Sequence, residues 1–192
     1  MEKINKLKKF FKSEKIDGYI IPKNNEFFGE YTPDHNDRLK YISGFSGSFG
    51  FALILNNNNY LFVDGRYTLQ ANNQSGKLFK IKTIPSELPK EVLKNKKIKI
   101  GFDPQLFTKR SLNIFFGKTN CKYIPLNKNL IDKIWIREKK KVKGKFFTLP
   151  TIAIGESYGL KVKKIVSSLN KSGADFQFIT ASENNAWLLN IR

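Results

Sequence analysis

The sequence predicts an α/β domain with a mixed sheet flanked by helices, followed by the start of a second domain of similar build. Three observations predict it. Short apolar runs alternate with helical patterns along most of the chain, the signature of strands and helices packed in layers. One pair of runs reads as a hairpin, Phe49 to Leu55 and Tyr60 to Val63 around the polar turn Asn56 to Asn59, which adds an antiparallel part to that sheet. After the stretch from Arg137 to Pro150, where a charge run, a glycine, an apolar patch and a proline follow one another, the helix-then-strand order of the N-terminus begins again.

Taken in order, Ile4, Leu7, Phe10 and Phe11 recur at helical spacing between lysines and predict an amphipathic helix that ends at Asp17-Gly18. Tyr19-Ile20-Ile21 is a short buried strand stopped by Pro22. Lys23 to Pro33 reads as an irregular aromatic loop. Asp34 or Asn36 is expected to cap a short helix through Tyr41, since either side chain can accept a free first-turn amide. Beyond the hairpin, helix is expected over Arg66–Asn72, Ser86–Lys94 and Thr108–Phe116, and strand over Phe79–Ile84, Ile98–Phe102 and Lys122–Ile124. Trp135 is expected to anchor the first domain to a linker. Residues 1–138 form the first domain on this reading, 139–150 the linker, and 151–192 the incomplete beginning of a second domain, with a helix over Ser157–Asn170, a strand over Phe176–Thr180 and Trp187 in its core.

Composition removes several classes of function. No stretch approaches the roughly 20 consecutive apolar residues of a membrane span, and the N-terminus lacks a continuous apolar segment of the export type; a cytoplasmic protein is expected. Cys121 is the only cysteine, so neither an intramolecular disulfide nor a cysteine-based zinc site can form. His35 is the only histidine and would have to serve any triad or histidine-ligated metal alone. It lies among Asp34, Asn36 and Asp37, yet adjacent loop residues cannot all converge on one ion. The net charge of +19 invites a nucleic-acid reading, but it is carried by dispersed lysines rather than arginine forks, which disfavours one.

Two motifs stand out. Gly44, Gly47 and Gly50 are spaced GxxGxxG and are followed by an apolar strand, whereas a dinucleotide fingerprint opens a helix and a P-loop ends in Gly-Lys-Ser/Thr. Tight turning and close backbone packing are the expected role of these glycines. Asp64-Gly65-Arg66-Tyr67 sits at a strand-to-helix junction, where Asp64 can cap the helix and pair with a guanidinium, Arg38 or Arg66. If that pair is buried, removing one partner costs about 3–5 kcal/mol.

The segments EYTPDHNDRLKYISGFSGSFG, VDGRYTLQA, IGFDP, NLIDKIW and ASENNAWLLNIR, in this order, resemble the N-terminal part of the Xaa-Pro aminopeptidases, the three-domain type related to creatinase and prolidase. The resemblance implies two creatinase-type N-terminal domains, the second only begun. It implies that the catalytic pita-bread domain, with two divalent metals, usually manganese, would follow Arg192. No catalytic, cofactor or metal residue carries over onto this chain. It further implies a homodimer and peptide substrates with proline in second position. Asp37, Arg38, Gly44, Gly47, Gly50, Asp64 and Gly65 become a structural motif of a scaffold domain on this reading. Arg66 and Tyr67 become the side chains for a substrate wall or subunit contact. A freestanding basic module for an anionic partner is the alternative.

Overall fold

The computed structural model describes residues 1–29, 31–137 and 144–192, and the chain divides into two compact units, Met1–Glu138 and Lys139–Arg192. The first part of the expected linker, residues 139–143, and Glu30 of the expected aromatic loop lie outside the described residues.

The first unit is built on six strands: β1 (Gly18–Pro22), β2 (Gly50–Leu55), β3 (Asn59–Asp64), β4 (Lys80–Ile84), β5 (Lys99–Phe102) and β6 (Lys122–Pro125). Their order across the sheet is β4-β3-β2-β1-β5-β6. β2 runs antiparallel to both neighbours, pairing Gly18 with Leu55 on one side and Gly50 with Val63 on the other. The remaining pairs are parallel, so the sheet is mixed, as expected. β1 and β2 are buried along their whole length, and the reason is that both faces are covered. Tyr19, Ile21, Ala52, Ile54, Leu61 and Val63 pack on one face against α1 (Glu2–Ser13), α2 (Arg38–Ser43) and α3 (Thr68–Ser75). Alternate residues Ile20, Leu53, Phe62 and Ile100 pack on the other against α4 (Pro89–Val92) and α5 (Lys109–Phe116). A continuous apolar run is what a strand with two covered faces requires.

Several boundaries differ from expectation for local reasons. Asp37, rather than Asp34 or Asn36, caps α2 by accepting from the Lys40 amide at 2.9 Å. The helix expected from Ser86 shrinks to Pro89–Val92, because proline lacks an amide donor and fits only the first turn. The helix expected from Arg66 begins as a 3-10 turn, Gly65–Tyr67, before α3. A helix not foreseen, α6 (Leu130–Ile134), is capped by Asn129 Oδ1 and presents Leu130 and Ile131 to the core. Trp135 follows it and stacks on Tyr41 with ring centroids 4.6 Å apart.

The second unit holds α7 (Thr151–Ile154), α8 (Tyr158–Lys171) and α9 (Ser182–Leu189). Residues 176–180 form no strand, and Phe176 and Phe178 stay over 80% exposed. A strand needs a neighbour for its backbone groups, and the described residues here supply only the isolated bridge Thr148–Ile191. Trp187, expected in a core, is half exposed. What orders the unit is polar: the buried Lys161 donates to the Trp187 carbonyl at 2.7 Å and to Asn190 Oδ1 at 2.6 Å, and lies over the Trp187 ring.

Candidate functional site at the carboxyl edge of the sheet

The ends of β1, β3 and β5 and the start of β2 meet on one edge of the sheet, and both sequence motifs gather there. The chain leaves β1 toward β2 on one side and reaches β5 on the other. In open α/β sheets the crevice at such a reversal is the usual place for a ligand.

The glycines act as the tight-turn reading expects. Gly44 ends α2 at φ +83°, a left-handed conformation that favours glycine. A Cβ on Gly47 would stand 2.3 Å from Phe45 Cζ and 2.9 Å from Tyr67 Cδ1. The loop thereby seats Tyr67, whose ring meets Phe45 edge to face at 5.8 Å and whose hydroxyl lies 2.7 Å from Ser48 Oγ.

Asp64 accepts from the Arg66 amide at 3.0 Å and pairs with Arg66 Nη2 at 2.7 Å. The hydrogen bond from Arg66, chiefly, holds the Asp64 carboxyl below its ordinary pKa. Of the two guanidiniums considered for Asp64, only Arg66 reaches it. Its side chain is 70% exposed, which corrects the expected cost: an exposed pair is worth at most about 1 kcal/mol. Asp64→Ala should therefore shift the melting temperature by no more than a few degrees, with the lost turn cap included. A drop above about 10 °C in a thermal melt would show that the junction carries more than this pair.

Arg38 is engaged elsewhere. Its buried guanidinium grips Asp132 of α6 through Nε to Oδ1 at 2.8 Å and Nη2 to Oδ2 at 2.9 Å, and Nη2 also donates to Glu26 at 2.7 Å. Burial is the largest single influence on Glu26 and opposes its ionisation, yet the Arg38 hydrogen bond, a backbone amide bond and the Arg38 charge together outweigh it, and the carboxyl lies below its ordinary pKa. Asp37 forms a second buried pair, with Lys23 at the end of β1. Neither Lys23 nor Asp132 was identified from the sequence, because their partners lie 14 and 94 residues away.

Between these elements lies a cleft of about 380 Å³. Phe28, Phe49, Phe51, Phe107 and Phe115 wall it, and Lys23 and Arg66 line it beside Ser48 and Ser111. No Asp or Glu stands among its described lining residues. His35 is exposed, and among the described residues no group of three or more His, Cys, Asp and Glu is placed to hold a metal ion. The described residues therefore do not fit a metal centre. No helix among them is long and apolar enough to cross a membrane.

Comparison with known proteins gives this geometry a context. Residues 3–132 match the Creatinase/Prolidase N-terminal domain model. The chain is 31% identical to Xaa-Pro aminopeptidase 1 of Dictyostelium discoideum, over 100% of its own length and 33% of that protein's. It is 31% identical to a probable Xaa-Pro aminopeptidase P of Coprinopsis cinerea, over 97% of its length and 32% of the other's. The chain thus spans about a third of the length of the curated relatives it matches. Among solved structures, the X-prolyl aminopeptidase of Caenorhabditis elegans, described as a cytosolic enzyme with a di-nuclear active site, superposes with TM-score 0.84 at 27% identity, covering 100% of this chain and 34% of that one. An Xaa-Pro dipeptidase of Bacillus anthracis superposes at TM-score 0.55 and 28% identity, over 70% of this chain and 35% of that one.

Proposed function

The chain belongs to the creatinase/prolidase N-terminal domain family, and from that premise we propose that it is the non-catalytic N-terminal part of a dimetal Xaa-Pro aminopeptidase. Its role is scaffold and subunit contact for a peptidase that removes N-terminal residues preceding proline. The observation that carries this reading is the likeness to the Caenorhabditis elegans enzyme, which covers 100% of this chain at TM-score 0.84. The metals, manganese on this reading, belong to a catalytic domain of the same polypeptide, a reading supported by the di-nuclear active site of the Caenorhabditis elegans relative. The parent protein is a cytoplasmic homodimer. Residues 1–138, 139–150 and 151–192 are its first domain, linker and the start of its second.

The carboxyl edge of the sheet is the face proposed for subunit contact. Phe28 is half exposed there and lines the cleft with Arg66, and Phe27 and Tyr31, near it in sequence, are exposed; exposed aromatics and arginine are the composition of interface anchors. Arg66 lies over the Tyr67 ring at 5.2 Å, which holds a cation outward as a wall for a peptide substrate. Asp37, Arg38, Gly44, Gly47, Gly50, Asp64 and Gly65 shape the support behind it.

The test is a Xaa-Pro peptide assay with manganese. The purified chain alone is expected to show no turnover, and a chimaera joining it to the remaining two thirds of the Dictyostelium relative is expected to cleave. Turnover by the isolated chain, or an inactive chimaera that is folded and metal-loaded, would reject the assignment.

A further inference from the structure

Three of the segments that stand out in the sequence, those holding Arg38, Asp103-Pro104 and Asn129 to Asp132, meet at a cavity of about 500 Å³ in the first unit. It shares no described lining residue with the aromatic cleft. Its wall is held by its own bonds. Asp103 and Asn129, both buried, are joined by a 2.8 Å bond from Asn129 Nδ2 to Asp103 Oδ2, and Asp103 Oδ1 accepts from the Gln105 amide at 2.9 Å. Pro104 and Leu126 add apolar surface.

One donor of this lining is unmet. Arg38 is only 5% exposed, and its Nε and Nη2 are engaged with Asp132 and Glu26. Its Nη1 is buried and finds no acceptor among the described residues, a situation that disfavours the fold unless a further group meets it. Charge decides which group can. The carboxylates of Glu26, Asp103 and Asp132 balance the cations of Arg38, Lys128 and Lys133 in the described lining, and Arg38 already carries two of those carboxylates. An anion at Nη1 would stand beside both and be repelled. A neutral carbonyl oxygen meets the donor without that repulsion, and the partly exposed Glu26 keeps lone pairs for an adjacent N–H. We propose that the cavity binds a small neutral carboxamide. Its oxygen accepts from Arg38 Nη1, its nitrogen donates to the Glu26 carboxylate, and its apolar body packs on Pro104 and Leu126. Because Nη1 is covered, one partner of Arg38 must yield on binding. Glu26, held by a single bond in the loop after β1, moves aside, while Asp132, gripped twice, stays.

The experiment is a two-dimensional NMR titration of the chain with benzamide and, in parallel, with benzoate, following the backbone amides and the Arg38 guanidinium. Benzamide is expected to give saturable shifts at residues 103–105 and 126–133 with a Kd near or below about 5 mM. The Arg38 guanidinium signal should follow the same curve. Benzoate should bind about tenfold more weakly or worse. Arg38→Lys, which keeps the charge and loses the planar fork, should weaken benzamide about tenfold, whereas Lys128→Ala at the exposed rim should leave it within about twofold. No saturable shift up to about 50 mM, shifts confined to other parts of the unit, or benzoate binding as tightly as benzamide would overturn the proposal. So would an Arg38 signal that stays still while the backbone amides saturate. That readout uses the parent chain and stands whether or not Arg38→Lys folds. None of these outcomes depends on turnover, so the titration and the peptidase assay fail separately.

Discussion

Replacement of Asp37 by alanine is expected to lower the melting temperature of the first unit by about 10–20 °C. Two losses add. The α2 amide of Lys40 loses its acceptor, a cap worth about 1 kcal/mol. The Lys23 ammonium, with only 9% of its side chain exposed, loses its carboxylate, and stranding a buried charge costs about 3–5 kcal/mol. A rescue separates the two. Asp37→Asn keeps the capping oxygen, and combined with Lys23→Met it removes both charges, so the double variant should recover to within about 1–2 kcal/mol of the parent. Calorimetry of the three variants checks this; a double variant as unstable as Asp37→Ala would show that the pair matters through something other than buried charge.

Arg38→Met is the second large effect, at about 3 kcal/mol. The figure sits at the low end for a buried pair, because Glu26 and Asp132 are each a third exposed and regain water when the guanidinium leaves. The same contact has a pH signature. A carboxyl held below its unfolded pKa contributes stability above that value and loses it as pH falls through the folded one. Glu26, ordinarily 4.5, is held lower, so its share is fully present above that ordinary value and is lost as pH falls through the lower folded one. Urea melts of the parent should therefore steepen with acid in that window more than those of Glu26→Gln. Identical acid slopes would mean that Glu26 has the same pKa folded and unfolded and that its pairing with Arg38 adds no pH-dependent stability.

The sequence places Asp37 and Arg38 in one motif without naming what they hold: it leaves Arg38 and Arg66 both open as the partner of Asp64, and the fold gives Asp64 to Arg66 and Arg38 to Asp132 and Glu26. Local chemistry sufficed to include the true partner where both residues sit within one turn, as with Asp64 and Arg66. It did not suffice for the cleft, whose phenylalanines come from four separate stretches of chain. Phe176–Thr180 shows the converse case. Its alternation reads as a strand, but alternation states a preference and pairing requires a partner.

By itself the sequence determined the class of fold, since apolar runs buried on two faces and a polar hairpin turn leave little besides a mixed sheet between helices. It also determined the glycine loop, because Gly44's left-handed backbone angle favours glycine and a Cβ at Gly47 would crowd Phe45 and Tyr67. Tertiary structure decided which charges are buried and with whom, and that one edge of the sheet gathers five aromatic rings and two cations. Those facts depend on residues far apart in sequence being brought within a few ångströms, and neither period nor spacing encodes that distance.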